Sequence, residues 1–151
     1  MKQSEKLKEL ISPYSPQIQK IAFELRSFIT NIIPEANELI WDNYNAVAIA
    51  YSKSEFLKDA FCHIAVYSKY VNFGFNRGTE LSKIKIKLEG KGKLIRHLKV
   101  SDLRSFPKKI IEKMIIEAVE ISELRNPELN KKETEGTSFV MSISEKKIRP
   151  I

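Results

Sequence analysis

Apolar residues recur at every third or fourth position over residues 16–33, where Ile18, Ile21, Ala22, Leu25, Ile29, Ile32 and Ile33 trace one stripe. That is the period of an amphipathic helix. Ser15 offers a hydroxyl to cap free amides, Pro16 has no amide to lose at the first helical position, and Pro34 stops the run. Leu7, Leu10 and Ile11, closed by Pro13, predict a short helix ahead of it. A second long stripe of Ile110, Ile111, Met114, Ile115, Ala118 and Ile121 predicts a helix opened by Pro107 and reaching residue 124.

Between the long helices the period shortens to that of strands. Residues 39–41, 46–51, 61–67, 70–75 and 94–100 read as strands of an antiparallel sheet, with a polar loop at 52–59. Gly74, Gly78, Gly90 and Gly92 mark turns or a bulge. Residues 83–88 alternate Lys with Ile or Leu and fit either a lysine-guarded edge strand or a loop. The order helix, strands, helix predicts an α+β fold with the N- and C-terminal helices packed on the sheet, forming one domain over residues 1–124. Residues 125–151 are a polar extension whose only apolar run, 139–143, reads as a late strand or a docked tail.

Composition sets bounds on this picture. A chain of 151 residues, 42% hydrophobic and 30% charged, suits one soluble globular domain. The single cysteine, Cys62, excludes an internal disulfide and a Cys-rich zinc cluster, and fits a reducing cytoplasm. The start MKQSEKLKEL lacks a signal-peptide pattern, and no apolar run approaches a membrane span. The formal charge of +7 is concentrated: residues 61–104 hold ten Lys or Arg against three acids, while the other segments nearly cancel. Such a segment points to an anionic partner.

Strand alternation puts Cys62 with Ile64 and Val66, as a core thiol, and His63 on the opposite face. Gly90-Lys91-Gly92-Lys93 lacks the spacing and the following helix of a phosphate loop and reads as a turn. Lys108 and Lys109, at the start of the second long helix, are either solvated or anion-receiving. Arg96 falls on the face of Leu98 and Val100, so its guanidinium is expected to meet a buried carboxylate or a bound anion. Tyr67, Tyr70, Phe73 and Phe75 offer stacking platforms for single-stranded nucleic acid, although Phe73 and Phe75 share a face and fit the core better. Serines are plentiful, but no nucleophile elbow is present.

The segments Asn72-Phe73-Gly74-Phe75, Arg77-Gly78, Glu80-Leu81, Leu88-Glu89-Gly90, Gly92-Lys93-Leu94 and Arg96-His97-Leu98-Lys99-Val100, preceded by Pro34-Glu35-Ala36 and Trp41, form an ordered series. In it the chain resembles the YdhG-like domain family of unknown function over residues 5–124. The resemblance implies a curved antiparallel sheet with flanking helices. Some relatives are described as frataxin-like iron chaperones, which implies a carrier working with an iron–sulfur assembly partner, as a monomer or homodimer. On that expectation iron is the cargo, and Glu35, Glu38, Asp42, His63 and His97 are its candidate ligands. The alternative is an anion or nucleic-acid binding module using Lys69, Arg77, Lys93, Arg96 and Lys99.

Overall fold

In a computed structural model that describes residues 4–82, 86–148 and 150, the chain runs α1 (Glu5–Ile11), α2 (Pro16–Ile32), β1 (Asn37–Asp42), β2 (Val47–Ser52), β3 (Ala60–Val66), β4 (Val71–Phe75), β5 (Arg96–Val100), α3 (Lys108–Arg125) and β6 (Ser138–Ile143). The Ser15 cap is the one the sequence implied: Ser15 Oγ accepts from the Ile18 amide at 3.3 Å, with Pro16 at the first turn, and Ser4 Oγ caps the first helix by accepting from the Leu7 amide at 3.2 Å. No helix among the described residues is long and apolar enough to cross a membrane.

The strands form one six-stranded sheet in the order β5-β4-β3-β2-β1-β6. The first five pair antiparallel, whereas β6 lies parallel to β1. The sheet is therefore mixed, not antiparallel throughout. Parallel pairing requires a long crossover, and the crossover here is everything between β1 and β6. The segment after Arg125 thus adds a strand to the same sheet. The strand expected over 94–100 begins only at Arg96. Of the ambiguous stretch 83–88, residues 83–85 lie outside the described residues and 86–88 form no strand.

Register places Ile40, Ile49, Ile64, Phe73 and Leu98 side by side on one face. Against this row α2 lays Ile18, Ile21, Leu25 and Ile29, and α3 lays Ile111, Met114 and Ile115, in one continuous core. Phe73 and Phe75 are fully enclosed there, ring edge against ring face. The fold is α+β, with its helices on a single face of the sheet.

Candidate functional site

Because side chains alternate along strands, the opposite face is fixed by the same register. One row there is Trp41, Ala48, Ala65, Asn72 and Lys99, and the next is Leu39, Ala50, His63, Gly74 and His97. No described α-helix packs on this face, and its apolar cluster joins Leu39, Ala50 and Ala60 with Trp41 and Phe139. Small residues in the middle strands make a floor, and Trp41, Leu57 and Ile95 rise around it. The result is a hollow of about 310 Å³ that His63 and Asn76 also line.

His63 is held in place. Its Nδ1 lies 2.9 Å from Oδ1 of Asn76. An amide oxygen can only accept, so Nδ1 carries the proton and Nε2 keeps its lone pair. The ring crosses the Gly74 backbone, where a Cβ would lie only 2.4 Å from Nε2. Burial lowers the His63 pKa from its ordinary value; the Asn76 hydrogen bond acts the other way, and the nearby His97 pushes it further down. His63 is accordingly a neutral acceptor at pH 7. His97, beyond Gly74, has its Nε2 3.9 Å from a carboxylate oxygen of Glu89.

A second group lies at the β3–β4 hairpin. Tyr67 and Tyr70 stack with centroids 5.0 Å apart and planes 28° apart, and Lys99 Nζ stands 4.1 Å from the Tyr70 centroid. Lys69 projects from the turn between the two tyrosines and is exposed.

The candidate metal ligands are not brought together. Glu38 and Asp42 point to the helix-bearing face and are fully buried, whereas His63 and His97 are on the opposite face. Donors on opposite faces of one sheet cannot meet at one ion. Glu38 accepts from Arg26 Nε, the Tyr51 hydroxyl and the Ser138 hydroxyl, and Asp42 accepts from Lys147 Nζ. Glu35 is in the turn before β1, where its backbone carbonyl accepts from Lys132 Nζ at 2.7 Å. Among the described residues no three His, Cys, Asp or Glu side chains are grouped to hold a metal. Cys62 is buried in the core, and burial raises its thiol pKa well above the usual value, so it stays protonated and inert.

The cationic candidates divide as well. Arg77 is taken by Glu80, with Nε 2.7 Å from Oε1. Arg96 meets no buried carboxylate: at the exposed edge of the sheet its Nη1 donates to the Gly92 and Ile95 carbonyls at 2.8 and 2.7 Å. Its stem lies against Gly78 and Gly90, and Gly90 has φ of 136°, a conformation that favours glycine. Arg96 therefore shapes its own loop. Lys93 is exposed on that loop. Lys108 and Lys109 border a shallow hollow of about 520 Å³ with Arg104, whose guanidinium is held by Asp102. Lys99 remains beside an aromatic ring on the uncovered face, with Lys69 exposed at the adjoining turn.

Sequence reasoning missed Trp41, Leu57, Asn76 and Ile95 as lining residues. The available signal was the alternation of small and large residues in Val47-Ala48-Ile49-Ala50-Tyr51, which reserves one face of β2 for something other than core. No family model matches the chain, and no curated protein or solved structure matches it.

Proposed function

We propose that the protein is a non-catalytic, cytoplasmic binding domain that receives single-stranded nucleic acid on the uncovered face of its sheet. The observation that carries this reading is the Tyr67–Tyr70–Lys99 column, two stacked rings and an ammonium on the face that no described α-helix covers. It lies within the segment that holds a positive excess of seven. Bases stack on aromatic side chains regardless of sequence, and lysines neutralise the phosphates between them. Kinship with the YdhG-like family is compatible with this reading, since those of its relatives described as iron chaperones are carriers and not enzymes. An iron cargo is the weaker reading, since its expected donors lie on opposite faces of β1 and β3.

The test is fluorescence anisotropy of a labelled oligouridylate or oligothymidylate of a dozen residues. Binding in the range of about 1–100 µM is expected at low salt, weakening by an order of magnitude or more as salt is raised fourfold. Lys99→Ala should flatten the salt dependence by about one unit of slope, and Tyr70→Ala should weaken binding at every salt concentration. Absence of binding at low salt, or binding indifferent to both substitutions, removes the reading.

A further inference from the structure

The two edges of the sheet are finished differently. Outside β5 the preceding loop folds back, and the Glu89 amide donates to the His97 carbonyl at 2.7 Å while the His97 amide donates to the Glu89 carbonyl at 2.9 Å. The exposed Lys99 also stands on that strand. A covering loop and an edge lysine both keep a sheet from pairing with another chain. At the opposite end β6 is bonded to β1, and no described strand or loop pairs with its outer side.

β6 has neither protection. Ser138–Ile143 contains no charged residue and no proline, and its Val140, Met141 and Ile143 are 40%, 44% and 51% exposed. Val140 aligns with Ile40 and Ile143 with Asp42, so both lie on the helix-bearing side at the rim of the core. The one irregularity is Met141, an extra residue opposite the Ile40–Trp41 step, which bends the strand and shortens its regular ladder without covering its outer side. Along a strand the backbone groups that meet one neighbour alternate with those that point away from it. This edge therefore offers a row of backbone donors and acceptors beside exposed apolar side chains.

The flanks of the strand say what fits it. Residues 133–137, leading in, hold two acids and no base, whereas residues 144–149 hold three bases and one acid. Glu133 and Lys146 are exposed, while Lys147 turns inward to Asp42. Two copies of β6 set antiparallel lay each acidic lead-in beside the basic run of the other copy, so the chain is complementary to itself in both its apolar strand and its charged ends. We propose that β6 is a self-association edge, through which two copies of this chain pair by antiparallel β6 strands about a two-fold axis and join their six-stranded sheets into one. Residues paired across strands share a face, so the axis stands perpendicular to the sheet. Both helix layers then stay on one side, and both uncovered faces become continuous on the other. The inference does not depend on what those faces bind.

The experiment is sedimentation equilibrium of the whole chain over a concentration series, paired with amide hydrogen exchange at its two ends. A short strand pairing is a small interface, so a monomer–dimer equilibrium with Kd of about 10–100 µM is expected. Amides within Ser138–Ile143 should gain protection as concentration rises, while those of β3 and β4 should not change. Val140→Lys places a lysine on the edge and should raise Kd at least about tenfold. Lys146→Glu removes charge complementarity and should raise it about threefold. Circular dichroism checks that each variant is folded, and if Val140→Lys is not, Ser142→Lys, at another exposed position of the same strand, decides in its place. A mass of one chain up to about 1 mM overturns the proposal, since the interface would then be weaker than any specific pairing of this size. A dimer that survives the edge lysine overturns it too, as does association that continues past two copies.

Discussion

Arg26 on α2 and Glu38 on β1 form an ion pair closed to solvent, with Nε 2.7 Å from Oε2 and side chains 6% and 0% exposed. The Tyr51 hydroxyl donates to the same oxygen at 2.8 Å, and Ser138 donates to Oε1 at 2.9 Å. One carboxylate thus ties together the long N-terminal helix, two central strands and the last strand. Burial, followed by the Glu38 charge, raises the Tyr51 pKa well above its ordinary value, so the phenol remains a donor. Removing one partner of a buried pair strands the other charge, which costs about 3–5 kcal/mol, whereas replacing the whole pair with apolar groups can be nearly neutral. Arg26→Met is therefore expected to lower the urea midpoint sharply, and adding Glu38→Leu should recover part of the loss. Equal destabilisation by the single and double variants would show that the pair does not act as a unit.

Gly74 bears chiefly on His63. A Cβ at this position would meet His63 Nε2 at 2.4 Å and Cε1 at 2.6 Å, the far end of a side chain that can rotate away, and the Arg96 backbone carbonyl oxygen at 3.1 Å, where a few tenths of an ångström of adjustment suffices. Gly74→Ala should therefore fold, with a stability change within about 1 kcal/mol, while breaking the Nδ1 to Asn76 contact. Released into solvent, His63 should titrate closer to about 6.5. A two-dimensional NMR titration of the imidazole resonances reads this, and an unshifted His63 pKa in the variant would contradict the geometry.

The lowered His63 pKa has a consequence for stability against pH. The unfolded chain protonates this imidazole near pH 6.5, while the folded chain resists until a lower pH because burial disfavours the cation. Between those values the unfolded state binds more protons, so stability falls as pH is lowered through the window and levels off below it. Each unit of separation is worth about 1.4 kcal/mol. Urea unfolding of wild type and His63→Leu between pH 7.5 and 5 should show a steeper acid-side loss in the wild type. Parallel curves would mean that His63 titrates alike in both states.

Much of the fold was legible because its signals are local. Helix stripes, the Ser15-Pro16 start and the alternation of Cys62 with His63 each depend on neighbours a few residues away, and the structure places them as read. The parallel pairing of β6 was not legible, since nothing within Ser138–Ile143 specifies which edge it joins or in which direction. Arg96 shows the same limit for a site. Alternation put it on the core-side face, but strand β5 is an edge, and at an edge that face opens onto a loop whose carbonyls satisfy the guanidinium. Residue type alone groups Glu38, Asp42, His63 and His97, but strand parity separates the two acids from both histidines.

The last strand is coupled to the rest of the molecule at Gly136. Its amide donates to the Pro34 carbonyl at 2.9 Å, and a Cβ there would lie 1.6 Å from the Ala36 carbonyl oxygen, a backbone atom with no freedom to rotate aside. Just beyond it, the Thr137 amide donates to Asn37 Oδ1 at 3.0 Å, Ser138 reaches Glu38, and Lys147 reaches Asp42. Gly136→Ala must push the two backbones apart and withdraw partners from two buried carboxylates. The expected cost is about 3 kcal/mol, near the upper end for single substitutions, with amides of Ser138–Ile143 losing hydrogen-exchange protection before those of β3 and β4. Gly92→Ala is the matched control: among the described residues beyond its chain neighbours no heavy atom lies within 4 Å of its added Cβ, so its change should stay within about 0.5 kcal/mol. If the two substitutions cost the same, the last strand is not anchored through Gly136, and the buried acids of β1 must hold their partners by other means.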